Sequence, residues 1–151
     1  MKKVLKSVSI CFIVAAMLTV GAFAAAPKDP VQPQASEYIA KTTTGAKAMG
    51  NGQVRFSFDI TATSSPMKDV GALQVDIYEV GSEKDTCVET HYYTWSGDEH
   101  LMGHNTGSYM SSVTYDGVKN HKYYAYVTFF AGEHGVAGDI HGMSTVIITA
   151  K

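Results

Sequence analysis

The stretch Gln53-Val-Arg-Phe-Ser-Phe-Asp-Ile-Thr-Ala-Thr63 decides the fold class of this chain. Every second position in it is apolar, and polar side chains stand between them; the apolar residues are Val54, Phe56, Phe58 and Ile60. Successive side chains of a β-strand point to opposite faces, so this period of two predicts a strand with one buried and one solvated face. Asn51-Gly52 directly before it favours a hairpin turn, because both residues tolerate positive φ.

Six further strands are predicted outward from this stretch. They are short, alternating or β-branched runs separated by Gly, Asn and Asp, at about 37–48, 71–80, 85–95, 108–115, 121–131 and 143–150. Beyond the N-terminal apolar run, no stretch combines helical spacing of apolar residues with helix caps. The chain is therefore predicted to be all-β.

Seven short strands with regular turn signals predict an antiparallel seven-stranded β-sandwich of immunoglobulin/fibronectin-III-like architecture. A small β-barrel is the alternative closure. Tyr123 and Tyr124 are both candidates for a tyrosine corner, in which a Tyr near the start of the sixth strand bonds back to the preceding turn. The Cys-Trp-Cys spacing of antibody domains is missing, so the likeness is architectural.

The N-terminus has the three-part organisation of a secretory signal peptide. Basic residues come first, an apolar run follows at 8–23, and small residues suited to cleavage end it at Ala24 and Ala26. The run is shorter than the roughly 20 residues that a membrane span needs. We expect export and release into the extracellular medium, with no stable membrane anchor after cleavage. The predicted organisation is a signal peptide at 1–26, a Pro-rich flexible lead-in at 27–36 and the sandwich at 37–151.

Removing the leader changes the charge and the cysteine count. The remaining chain has 9 basic and 14 acidic residues, a net charge of −5. An acidic domain lacks the electrostatic footprint of a nucleic-acid binder. Cys11 leaves with the leader, so Cys87 has no internal disulfide partner and is expected to be a small, mostly buried strand residue.

All six histidines lie after residue 90, and they suggest where chemistry could sit. In a sandwich, the predicted connections at about 64–70, 96–107 and 132–142 emerge at the same end. The predicted binding residues at this end are Trp95, His100, His104, His134 and His141. Imidazole and carboxylate suit zinc or a similar divalent ion, and the candidate ligands are His100, His104, Asp139 and His141. No HExxH motif is present, so solvated loop residues remain the simpler interpretation and no cofactor is predicted.

No catalytic residue is predicted. The chain has neither a Gly-x-Ser-x-Gly elbow nor a Cys–His signature for nucleophilic catalysis. We therefore expect a secreted, non-enzymatic binding or interaction module that uses these loops, with an extracellular protein or glycan as its partner. A small secreted metal-dependent enzyme that uses the loop histidines and carboxylates is the alternative.

Three stretches carry a resemblance to a known family: 71–79 (GALQVDIYE), 101–105 (LMGHN) and 123–132 (YYAYVTFFAG). With the leader and the 53–63 strand, they make the chain similar to small secreted proteins of Gram-positive, often gut-dwelling bacteria that are defined as a domain of unknown function. The resemblance implies secretion and one small domain. It implies no catalytic or binding residues.

Overall fold

The computed structural model describes residues 36–94 and 99–151. Nine β-strands and one 3-10 helix (Glu99–Leu101) lie in these two ranges. The strands are β1 (Ile39–Gly50), β2 (Gln53–Ala62), β3 (Met67–Glu79), β4 (Thr86–Tyr92), β5 (Met102–Thr106), β6 (Ser108–Asp116), β7 (Lys122–Glu133), β8 (Ala137–Ser144) and β9 (Ile148–Thr149). No helix in the two ranges has the length and apolar character that crossing a bilayer demands.

The strands form two antiparallel sheets that pack together. One sheet has the order β1-β2-β6, and the other has the order β4-β3-β7-β8, with β5 paired to β3 and β9 paired to β7. The sheets do not close into a cylinder. The predicted β-sandwich is therefore confirmed, and the barrel alternative is wrong.

The 53–63 stretch forms the centre of the smaller sheet, as its alternation predicts. Burial alternates strictly along the first part of β2, where the apolar side chains are buried and the polar ones face solvent. Phe58 meets Phe129 of β7 edge to face, with ring centroids 6.1 Å apart, so these rings join the two sheets. Burying a side chain of this size contributes about 1.5–3 kcal/mol.

The two predicted turn features are both present. Gly50, Asn51 and Gly52 all have positive φ in the β1–β2 turn, which explains why Asn and Gly occupy it. Tyr123, rather than Tyr124, makes the tyrosine corner. Its hydroxyl oxygen accepts the backbone N–H of Val118 at 3.0 Å, and its ring is fully buried.

The three predicted loops are largely strand, which corrects the assignment made from sequence. β3 already begins at Met67, and the β7–β8 hairpin spans 132–142. Within 96–107, the structure describes 99–107, and β5 covers most of that part. The predicted strand at 143–150 is wrong in its bounds, because β8 ends at Ser144 and pairing resumes only at Ile148. The glycines at 138 and 142 hide β8 in the sequence, since glycine normally weakens a strand.

Cys87 is exposed, so the expectation of a buried cysteine is wrong. It lies on β4, an edge strand of the larger sheet, where one side of the strand has no described neighbour. Its Sγ lies 3.5 Å from the Thr90 hydroxyl. An edge position leaves even a small apolar residue in contact with solvent.

The predicted leader lies outside the described residues, as does the Pro-rich lead-in up to residue 35. Both stay predictions. The first described residue, Ser36, donates its hydroxyl hydrogen to Asp139 Oδ2 at 2.5 Å, and the Tyr38 backbone N–H donates to the same oxygen at 2.8 Å. The start of the described chain is thus fixed to β8.

Candidate functional site

One end of the larger sheet brings together the three segments that the sequence places at a common end. Asp69 of β3 pairs with His104 of β5 on one side and with Gly132 of β7 on the other. The segments meet as paired strands rather than as loops. Backbone pairing therefore fixes the positions of the side chains at this end.

A hydrogen-bonded network connects these segments through their side chains. His104 Nδ1 lies 2.8 Å from Asp69 Oδ1, and the Tyr93 hydroxyl lies 3.2 Å from His104 Nε2. The backbone N–H of His134 donates to Asp69 Oδ2 at 3.1 Å. Asp69 is only 8% exposed, and both of its oxygens have a partner, as a buried carboxylate requires.

The order of groups in this network is hydroxyl, imidazole, carboxylate. An ionised carboxylate only accepts hydrogen bonds, so in the neutral ring Nδ1 carries the hydrogen and Nε2 accepts from the Tyr93 hydroxyl. The same order activates hydroxyl nucleophiles in enzymes. Tyr93 is only 9% exposed, however, and its hydroxyl is bonded to His104. We interpret the network as a structural tie between β3, β5 and the β7–β8 turn.

The other predicted binding residues are separated from this network. His100 lies in the 3-10 helix, where its carbonyl oxygen accepts the hydroxyl of Tyr109 at 3.1 Å. His141 is exposed on β8. Trp95 lies outside the described residues. Of the predicted set, the structure brings together His104 and the backbone of His134.

The predicted metal ligands have other partners or positions in the structure. His104 has protein partners at both ring nitrogens, and Asp139 accepts from Ser36 and from Tyr38. Within residues 36–94 and 99–151, no three His, Cys, Asp or Glu side chains come together as a metal-binding group. The metal site stays a prediction from sequence.

A second surface, absent from the sequence predictions, lies on the outer face of the larger sheet. Strand pairing places Gln74 beside Tyr92 and Thr128, Asp76 beside Thr90 and Tyr126, and Tyr78 beside Tyr124. We call this surface the tyrosine face. Its members are Gln74, Asp76, Tyr78, Thr90, Tyr92, Tyr124, Tyr126 and Thr128.

Asp76 is the polar centre of the tyrosine face. Its carboxylate accepts from the amide of Gln74, whose Nε2 lies 2.8 and 2.7 Å from the two oxygens. The hydroxyl of Thr90 donates to Oδ1 at 2.7 Å. The three side chains therefore hold one another in place, and each is partly exposed on the outer face.

Two tyrosines stack beside this centre. The rings of Tyr78 and Tyr124 lie 5.1 Å apart and nearly parallel, at 11°. The Tyr124 hydroxyl donates to Asp85 Oδ2 at 3.1 Å. Desolvation, followed by this hydrogen bond, raises the pKa of Tyr124 above its ordinary value. Desolvation and then the charge of Asp76 raise the pKa of Tyr78. Both hydroxyls therefore stay protonated at neutral pH.

The ring of Tyr126 lies across the edge strand β8. A Cβ on Gly142 would come within 1.8 Å of the Tyr126 hydroxyl oxygen, so only glycine leaves room for this ring. Phe130 lies in the same way over Gly138, where a Cβ would come within 2.6 Å of the ring. Phe130 is buried, but Tyr126 remains 40% exposed. Tyr126 is therefore packed against the backbone beneath it and open to solvent above.

The tyrosine face has a weak sequence signal. In 121–131, the residues predicted to face solvent are Tyr124, Tyr126 and Thr128. Aromatic side chains thus stand at positions that are usually polar in an alternating strand. Tyrosine suits either face of a sheet, which is why alternation alone did not reveal the surface. A glycine at 142 within a strand indicates that another group approaches closely.

The fold and these two surfaces define a small two-sheet β-sandwich with a tyrosine-rich outer face. Comparison with known protein families and with curated proteins gives no match for this chain.

Proposed function

We propose that the protein is an exported, non-enzymatic β-sandwich module that binds an extracellular partner through its tyrosine face. Export follows from the three-part leader, and the binding role follows from the surface. The loop-rich end that the sequence favours for binding consists mainly of paired strand, and its central histidine is occupied by Asp69 and Tyr93. The tyrosine face exposes more side chains that can contact a partner.

The observation that carries the proposal is the exposure of two aromatic rings on either side of a hydrogen-bonded polar group. Tyr92 is 57% exposed and Tyr126 is 40% exposed, on either side of the Asp76 centre. Tyrosines supply large amphipathic contact area at low entropic cost, and rigid elements reduce that cost further. Single exposed apolar residues need no explanation, but a group of them around polar side chains that bond to one another indicates recognition.

The outer face of the smaller sheet provides an internal comparison. It has a shallow depression of about 220 Å³ lined by residues such as Ser57, Asp59 and Met110. Met110 is 71% exposed, whereas Phe58, the aromatic residue of this lining, is a core residue only 2% exposed. Met110 therefore supplies a control position on the same domain, more exposed than Tyr92 and Tyr126 and without an exposed aromatic ring in its lining.

Two measurements test the proposal. N-terminal sequencing of protein recovered from the medium should start after Ala24 or Ala26, and intact protein retained in the cell would contradict export. For binding, immobilised extracellular proteins and polysaccharides are presented to three forms: the unaltered protein, Tyr92→Ser/Tyr126→Ser and Met110→Ser. We expect the double variant alone to lose binding. Equal binding by all three forms would overturn the role of the tyrosine face.

A further inference from the structure

We propose that the tyrosine face is a carbohydrate-binding site for a short stretch of a neutral glycan. This proposal rests on the binding function proposed above and names the chemistry of its ligand. Tyr126 is the stacking platform, and the Gln74–Asp76–Thr90 group is the hydrogen-bonding centre. Four features of the face support this choice of ligand: the orientation of a ring, the balance of donors and acceptors, the area and the charge.

The orientation of Tyr126 suits a sugar ring. Because Gly142 has no Cβ, the hydroxyl end of the Tyr126 ring can lie over β8, and the residue remains 40% exposed to solvent. The face of an aromatic ring is electron-rich, so it attracts the C–H groups that line one side of a pyranose. Tyr92, across the polar centre, presents a second exposed ring to a neighbouring sugar unit.

The polar centre offers both acceptors and a donor to a ligand. One amide hydrogen of Gln74 is shared by the two Asp76 oxygens, and the hydroxyl hydrogen of Thr90 is donated to Oδ1. The acceptors that remain are the other lone pairs of Asp76, the Gln74 carbonyl oxygen and the Thr90 oxygen, and the second Gln74 amide hydrogen remains as a donor. Sugar hydroxyls supply donors at the required density. A ligand rich only in acceptors would leave these oxygens desolvated and unpaired, at a cost of about 1–3 kcal/mol each.

The area of the face matches a small ligand. From Gln74 to Tyr78, the face extends about 14 Å along β3. Across β4, β3 and β7, the strands that carry its members, it spans about 10 Å. The resulting area of about 140 Å² is far below the roughly 800 Å² that each partner of a stable protein complex buries. A short oligosaccharide fits this area, whereas a second protein would have to find most of its contacts elsewhere.

The charge of the face favours a neutral ligand. Asp76 is the only charged member of the face, and Lys122, two residues before Tyr124 on the outward side of β7, lies at its margin. Phosphate, sulfate and uronic-acid groups bind through basic side chains, which the centre of the face does not supply. The Asp76 carboxylate at that centre would instead repel them. Neutral sugar hydroxyls can bond to Asp76 without an opposing charge.

Affinity electrophoresis tests the inference with neutral soluble polysaccharides: α-glucan, β-glucan, mannan and xylan. We expect at least one of them to retard the purified protein. Tyr126→Ala should weaken that binding by up to about tenfold, since an aromatic stacking contact is worth about 1.4 kcal/mol at the upper end. Tyr126→Phe should keep most of it, because the ring remains. Met110→Ala is the matched control and should bind unchanged.

Tyr92→Ala provides a second variant at an exposed strand end, where loss of folding is not a concern. Thermal unfolding of every variant checks that the fold is intact. No retardation by any of the polysaccharides overturns the glycan inference. Binding is also measured to immobilised extracellular proteins whose glycans have been destroyed by periodate. If Tyr92→Ala or Tyr126→Ala abolishes binding to these proteins, the binding function stands and only the glycan inference is wrong. If these variants change binding to no surface at all, both proposals fail.

Discussion

Gly142 lies directly beneath Tyr126, so closely that a Cβ at position 142 would be 1.8 Å from the hydroxyl oxygen and 2.5 Å from Cζ. The pair is diagonal across β7 and β8, because Tyr126 pairs with Ser144 and Thr128 pairs with Gly142. Aromatic rings commonly cover glycines in this way at sheet edges. Here the arrangement holds a half-exposed ring in a fixed position.

Gly142→Ala should displace the Tyr126 ring and cost little stability. The atoms in the way belong to the far end of a flexible side chain, so the ring can swing out and lose only its contact with β8. We expect a loss below about 1 kcal/mol in urea denaturation, together with a clear change in the near-ultraviolet circular dichroism.

Gly45→Ala is the matched control for this substitution. It is also a strand glycine, but its added Cβ would meet the Ser57 hydroxyl on the smaller sheet. This control should leave the tyrosine signal unchanged. An unaltered near-ultraviolet spectrum for Gly142→Ala would contradict the described position of the Tyr126 ring.

Tyr123→Phe should destabilise the protein by about 1–2 kcal/mol, because it removes the acceptor of the Val118 N–H at the tyrosine corner. Tyr124→Phe is the neighbouring control. It loses a hydrogen bond to exposed Asp85 and should stay within about 0.5 kcal/mol of the unaltered protein. Chemical denaturation of the three forms measures both effects. Equal costs for the two variants would mean that the corner does not stabilise the β6–β7 connection.

His104→Ala should cost about 1–3 kcal/mol in the free energy of unfolding, since it leaves buried Asp69 with one of its oxygens unpaired. It also removes the partner of the Tyr93 hydroxyl. His141→Ala, at an exposed position of β8, should be close to neutral. If the two histidine variants unfold at the same urea concentration, the network does not tie the three segments together.

Asp139 should make stability depend on pH at the acidic end. Hydrogen bonds from the Ser36 hydroxyl and then from the Tyr38 backbone lower the pKa of Asp139 below its ordinary value. A carboxyl with a lowered folded pKa stabilises the fold above its unfolded pKa of about 4, and that stabilisation is lost as pH falls through the lowered value. Asp139→Asn should therefore be less stable than the unaltered protein at neutral pH.

The stability gap between Asp139→Asn and the unaltered protein should close as the pH drops below about 4. Ser36→Ala removes the strongest of the hydrogen bonds and should reproduce part of the effect. Thermal unfolding across pH measures both. A gap that is constant with pH would show that the attachment of Ser36 to β8 does not involve the ionised carboxylate.

The core of the fold could be predicted because its signal is local. Alternation along 53–62 is a property of neighbouring residues, and it predicted both the strand and its buried face. The Asn51-Gly52 turn and the tyrosine corner are also short-range patterns. Strand β8 was not predicted, because it contains glycines that normally weaken a strand. Phe130 and Tyr126 of the neighbouring strand lie over these glycines, and this relationship between strands is not visible in the local sequence.

The side-chain clusters depend on register, which the sequence does not display. Asp69 and His104 are 35 residues apart, and they meet because β3 and β5 pair at those positions. A shift of one residue in that register would turn the two side chains to opposite faces. The tyrosine face has the same origin, because Asp76 lies between Thr90 and Tyr126 only after three strands have paired.

The most direct test of the central claim is affinity electrophoresis of the unaltered protein, Tyr126→Ala and Met110→Ala in gels that contain neutral polysaccharides. A glycan-binding tyrosine face predicts that at least one polysaccharide retards the unaltered protein and Met110→Ala equally. Tyr126→Ala should then be retarded less, as expected for binding up to about tenfold weaker. Equal migration of all three proteins in every gel would contradict the claim.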